Sequence, residues 1–153
     1  MVLRGERAAS GPWDIRVVNC SFCVYGVVDM SFRITTTQEF AASHQLRLYD
    51  GSLESLHGHN WKVTVTVGAA ELDEIGLVMD FHVLDRRLER ILRELHNHHL
   101  NEVEMFGGRN PSAENVALTI AENLRLPRKV ELVSVEVWET EGNSAVYVPE
   151  AGE

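Results

Sequence analysis

His57-Gly58-His59 is the shortest stretch of this chain whose residue types and spacing could do chemistry. Residues at i and i+2 of extended backbone point to the same side, and the glycine between them adds no side chain. Both imidazoles can therefore reach one ion at about 2.0–2.1 Å. His44 closes the preceding extended segment and can come alongside. Three histidines with an open fourth position are the ligand set of catalytic rather than structural zinc. An isolated His-x-His is more commonly a pair of surface or hydrogen-bonded core histidines, so the spacing needs support from its surroundings. All seven histidines (His44, His57, His59, His82, His96, His98 and His99) fall in one middle stretch.

The elements that must position them are legible. Ser31–Ala42 alternates, with Phe32, Ile34, Thr36, Gln38, Phe40 and Ala42 on one side, and Asn60–Gly68 alternates more strictly, with Trp61, Val63, Val65 and Val67 together. Both are predicted strands, paired antiparallel. The connection from Ser43 to His59 is long for a hairpin, and long ordered loops in compact domains are usually functional. Asp80 is a helix cap followed by Phe81, Leu84, Leu88, Ile91, Leu92 and Leu95 at helical spacing; His82 falls on the exposed side. Asn110-Pro111 predicts the start of a second helix, with Ala113, Ala117, Ile120, Ala121 and Leu124 inward. Val130–Thr140 reads as a strand with Val133, Val135, Val137 and Glu139 on one face, and Ala145–Val148 as its partner after a turn at Gly142-Asn143. The order β-β-α-α-β-β predicts an α+β domain with both helices on one face of an antiparallel sheet.

Composition narrows the function classes. A chain of 153 residues suits one domain with a self-sufficient core. Fourteen Lys and Arg against 23 Asp and Glu give a net charge of −9, which disfavours nucleic acid and anionic membranes as partners. Two cysteines, Cys20 and Cys23, are read as reduced thiols, since no second pair accompanies them. Val17–Val28 is apolar but too short to span a bilayer and lacks a clean cleavage site, so a cytoplasmic location is expected. Residues 1–29 are taken as an N-terminal extension, an extra strand or a loose segment, before a domain over 30–149 and a tail over 150–153. A cupin pattern is rejected, because Asn60-Trp61-Lys62-Val63-Thr64 stands where that family needs a glutamate.

Phe40-Ala41-Ala42-Ser43-His44, His57-Gly58-His59-Asn60-Trp61, Gly76-Leu77-Val78-Met79-Asp80-Phe81, His99-Leu100-Asn101, Asn110-Pro111-Ser112-Ala113-Glu114-Asn115 and Glu139-Thr140 follow one another as in a known family. In order and spacing they resemble the 6-pyruvoyl-tetrahydropterin and 6-carboxytetrahydropterin synthases, from about Phe32 to Tyr147. That resemblance implies the tunnelling fold, a homo-oligomeric barrel commonly built as a dimer of trimers (a hexamer), with active sites between subunits. It further implies zinc on His44, His57 and His59 holding the side-chain hydroxyls of a dihydroneopterin substrate. Glu139 would anchor the pterin ring, with Thr140 and Ser112 beside it.

The departures from the family are chemical. Its synthases use a cysteine base shortly before His-Gly-His, where this chain has Gly51 and Leu53, and its Asp-His pair after the first helix is replaced by His96-Asn97. His96 or His98 is the substitute proton relay. Glu54 precedes His57 by three residues, and Glu-Ser-Leu-His-Gly-His resembles the branch in which glutamate replaces the cysteine. That branch cleaves dihydroneopterin-type substrates by a retro-aldol step to 6-hydroxymethyl-7,8-dihydropterin, a folate precursor, and Glu54 would be its base. Two other readings stand beside this one: a 6-carboxytetrahydropterin synthase serving queuosine formation, and a catalytically weakened pterin- or purine-binding protein.

Overall fold

The computed structural model describes residues 31–150; the expected extension, with Cys20 and Cys23, and residues 151–153 lie outside the described residues. The elements are β1 (Phe32–His44), β2 (His57–Ala69), α1 (Phe81–Leu95), short 3-10 turns at Leu100–Glu102 and Glu104–Phe106, α2 (Ala113–Asn123), β3 (Glu131–Thr140) and β4 (Asn143–Tyr147). The strands form one antiparallel sheet in the order β1-β2-β3-β4, giving the α+β fold that the alternation predicts.

Strand parity decides where the core sits. Trp61, Val63, Val65 and Val67 are fully buried, and Phe40, Ala42, Val135 and Val137 join them on the same face. Leu84, Leu88, Leu92 and Leu95 of α1 and Val116, Ala117 and Ile120 of α2 close over that face. Each of the Val, Leu, Ile and Phe side chains contributes about 1.5–3 kcal/mol when taken from water, so the helix-covered face holds the sheet in register. The opposite face is polar: the hydroxyls of Thr35 and Thr66, and those of Thr37 and Thr64, meet at 3.0 Å across β1 and β2.

Several details differ from the sequence reading. The β1–β2 ladder continues to the pair His44 and His57, so both strands run through the histidines instead of stopping at Ala42 and Asn60. Phe81 is 52% exposed; the covered stripe of α1 begins at Leu84. Ser112, not Asn110, caps α2, because the Asn110 amide is engaged with the backbone of Arg47. In β3 a bulge skips Val133, which puts Leu132 opposite Val67 and against the core in its place. β4 starts at Asn143, two residues before the predicted Ala145.

After α1 the chain turns back along the outer edge of β1. Asn97 has φ 61°, a left-handed conformation that asparagine tolerates better than most residues. Its N–H donates to the Ala41 carbonyl at 2.6 Å, and Ser43 N–H donates to the His98 carbonyl at 3.1 Å. This patch covers β1's edge groups at the end where His44 sits.

Candidate metal and substrate site

His57 and His59 share the parity of Trp61, and His44 the parity of Phe40 and Ala42, so all three imidazoles lie on the core face at one end of the sheet. Trp61 is their floor: its ring meets His44 edge-on at 4.9 Å and His59 at 5.5 Å, and its Nε1 donates to the Ala42 carbonyl. Ring centroids stand 4.5 Å apart for His44 and His57 and 4.9 Å for His57 and His59. Gly58 is needed for a second reason besides the absence of bulk between imidazoles. A Cβ there would come within 3.3 Å of the Ala42 carbonyl oxygen on β1.

Backbone carbonyls aim the rings. His44 Nδ1 lies 2.8 Å from the Pro111 carbonyl and His57 Nδ1 2.8 Å from that of Ser55. A carbonyl only accepts, so both Nδ1 atoms carry the proton and Nε2 of each neutral ring presents a lone pair. His44 Nε2 and His59 Nε2 are buried with no hydrogen-bond partner. A carboxylate oxygen stands close to both: Glu139 Oε1 lies 3.1 Å from the first and 3.6 Å from the second. Lone pair faces lone pair at these distances, an arrangement that a cation between them relieves. Burial, the largest cause, holds His59 below the ordinary imidazole pKa; Glu139 opposes this, His44 and His57 add to it, and Glu54 opposes it weakly. A neutral ring is what a metal ligand must be. His44, His57, His59 and Glu139 each offer one ligand atom, all within 4.8 Å of one another, so the group fits a divalent ion such as zinc. Glu139 thus joins the three expected histidines as a fourth member of the cluster.

The long connection between β1 and β2 is itself a small hairpin, with a bridge between Arg47 and Leu53 and Glu54 N–H donating to the Leu46 carbonyl at 3.0 Å. Glu54 Oε1 accepts from Leu46 N–H at 2.8 Å and stands 3.8 Å from His57 Nδ1. Two asparagines hold this hairpin: Asn101, and Asn110 in place of the helix-capping role that its position before Pro111 predicts. Asn101 Oδ1 accepts from Gln45 N–H while its Nδ2 donates to the Gln45 carbonyl (2.9 and 2.7 Å), and Asn110 treats Arg47 identically (2.8 and 2.9 Å). Each amide imitates a neighbouring strand. Both sit in quoted motifs, Leu100-Asn101 and Asn110-Pro111, but no local spacing announces a backbone partner 56 or 63 residues away. Asn110→Ala is expected to weaken the hairpin locally by about 1 kcal/mol and to speed amide exchange at Arg47. Unchanged protection at Arg47 would show the clamp to be idle.

The remaining predicted residues separate. Glu139 and Ser112 line one cavity of about 240 Å³ with Leu46, Ala113 and Ala145. Ser112 is also the cap of α2, accepting from Asn115 N–H at 3.4 Å, and its hydrogen bond holds the Glu114 carboxyl below its ordinary range. Thr140 does not line that cavity: it is exposed, and its Oγ1 accepts from Asn143 Nδ2 across the β3–β4 turn. His98 lines a second hollow of about 410 Å³ together with His59, Gly58 and Asn97. His96 is drawn elsewhere, its Nδ1 accepting from Ala41 N–H at 3.1 Å. His82 is exposed on α1.

A family profile described as 6-pyruvoyl tetrahydropterin synthase matches residues 33–150. The chain is 35% identical over 112 residues to a dihydroneopterin monophosphate aldolase of Pyrococcus furiosus, covering 72% of this chain and 91% of that one. It is 35% identical over 113 residues to a 6-carboxy-5,6,7,8-tetrahydropterin synthase of Synechocystis, covering 71% and 86%. Among solved structures, 6-pyruvoyl tetrahydropterin synthase of Caenorhabditis elegans superposes with a TM-score of 0.65 at 23% identity, over 78% of this chain and 96% of that one, and so shares the fold.

Proposed function

Because the chain belongs to the 6-pyruvoyl tetrahydropterin synthase family of pterin-acting lyases, we propose that it cleaves a 7,8-dihydroneopterin-type substrate by a retro-aldol reaction. The product would be 6-hydroxymethyl-7,8-dihydropterin. The observation that carries this reading is the Glu54 carboxylate, fixed by Leu46 at the rim of the histidine cluster. Among residues 31–150 there is no cysteine to act in its place.

His44, His57 and His59 would hold zinc, which as a Lewis acid acidifies a side-chain hydroxyl and stabilises the negative charge that develops there. Glu139 accepts hydrogen bonds from the guanidine-like edge of the pterin, a planar bidentate contact, and Ser112 borders the same cavity. The bonds that hold Glu54 use its backbone and Oε1, leaving Oε2 to take the proton from the hydroxyl on side-chain carbon 2. As that proton leaves, the bond between carbons 1 and 2 breaks, its electrons pass into the pterin imine, and carbon 2 departs as an aldehyde. Carbon 1 then regains a proton, delivered by His98 from the hollow it shares with His59. His96, the other relay considered, already uses Nδ1 on the β1 backbone. The outer edge of β4 is unpaired among the described residues, and with Val146 and Val148 exposed it supports the proposal that copies join edge to edge into a barrel.

A second reading, 6-carboxytetrahydropterin synthase, has the Synechocystis relative in its favour. One experiment separates them. The zinc-loaded chain is incubated with dihydroneopterin, its monophosphate and its triphosphate, and released pterins are identified by mass. 6-Hydroxymethyl-7,8-dihydropterin is the expected product; 6-carboxytetrahydropterin would establish the second reading, and pterin binding without turnover would make the chain a binding protein.

A further inference from the structure

Glu139 borders two sites, the histidine cluster and the cavity beside Ser112, and a bidentate contact with a ring in the second would engage both of its oxygens. Its Oε1 is 3.1 Å from His44 Nε2 and 3.6 Å from His59 Nε2, both of them buried without a hydrogen-bond partner. Two ligands of one tetrahedral ion at ordinary zinc distances lie about 3.3 Å apart, so this oxygen is at ligand spacing from both nitrogens. The same residue also lines the cavity of about 240 Å³ beside Ser112 and Leu46, where a ring would be anchored. β3 pairs Trp138 with Ser144 and then Thr140 with Asn143, so the ladder shifts register around Glu139.

We propose that Glu139 is the fourth metal ligand of the substrate-free protein and that an entering pterin ring draws it off. Ring recognition thereby opens the coordination position that the substrate's hydroxyl requires. The exchange is balanced, because the carboxylate gives up one cation and gains two charge-assisted hydrogen bonds from the guanidine-like edge. A sugar phosphate without the pterin ring has nothing to offer Glu139 and leaves the position closed. This inference rests on the reading of His44, His57 and His59 as the metal site.

Cobalt(II) in place of zinc makes the ligand set visible, since its visible absorption depends on the number and type of ligands. The probe is unsubstituted pterin, which has the anchoring edge but no side-chain hydroxyls, and its binding is followed independently by quenching of its fluorescence. In the wild-type chain, bound pterin is expected to shift the cobalt spectrum. Glu139→Gln should show an altered spectrum from the outset and release cobalt to a chelator about 10- to 100-fold faster. An identical spectrum in wild type and Glu139→Gln, or a wild-type spectrum unmoved by saturating pterin, overturns the inference and leaves the histidine site standing. Failure of pterin to bind wild type overturns it too, by removing the displacing contact. Cobalt uptake equal in wild type and His57→Ala would sink the metal site itself, and this inference with it.

Discussion

His57→Ala is expected to reduce bound zinc from one ion per chain to a small fraction of that and to lower kcat/KM on the order of 10³-fold or more, the loss of several kcal/mol of Lewis-acid stabilisation. This position is the cleanest of the three for the test. The His57 side chain is 40% exposed, whereas His44 is fully buried against Trp61 and its loss would also open a cavity. The floor of Trp61 and the contact of His44 with Pro111 survive the substitution. The metal-free forms of wild type and variant should therefore melt together, while only the wild type gains stability on adding zinc, because only it retains the three-histidine site. His82→Ala, on the exposed surface of α1, is the control with no expected change. Full zinc retention by His57→Ala, measured by elemental analysis, would refute the assignment.

Glu54→Gln should lower kcat by about 10²- to 10⁴-fold, the usual contribution of a positioned general base, with KM and zinc content little changed. Glutamine keeps an amide oxygen for Leu46 N–H, so the hairpin stays in place and only the proton acceptor is lost. Undiminished kcat in this variant would remove Glu54 from the reaction even if the metal assignment stands. A matching fall in kcat and zinc content would instead make Glu54 part of the metal site, at variance with its 3.8 Å separation from a nitrogen of His57 that carries a proton.

How much of this was legible in advance follows from the range of each interaction. Strand parity is local, with a period of two, so the alternation around Trp61 and Phe40 suffices to put His57, His59 and His44 on one face. The same holds for Asp80, which caps α1 through His82 N–H two residues away. Bulges are another matter: an extra residue leaves no mark on composition, so alternation puts Val133 on the core face where Leu132 belongs. The register shift between Trp138 and Thr140 is equally hidden, whereas parity alone puts Glu139 on the face of Val135 and Val137 that the histidines share. The Glu139-Thr140 motif puts Thr140 beside the pterin; in the structure its Oγ1 accepts from Asn143 across the β3–β4 turn, and it lies outside the lining of the cavity that Glu139 borders.

The α+β order, the helix-covered face of the sheet and a three-histidine cluster on it are readable from the chain alone, since each depends on side-chain periodicity or on contacts within a few residues. The rest comes from packing between distant segments. Asn101 and Asn110 hold a hairpin far from them in the chain, the Pro111 carbonyl sets the His44 tautomer, His98 rather than His96 borders the hollow beside His59, and Glu139 Oε1 comes within 3.1 Å of His44 Nε2. The physical reason is common to all four: backbone carbonyls, amides and bulges carry no residue-type signature, and they acquire their partners only when distant segments pack together.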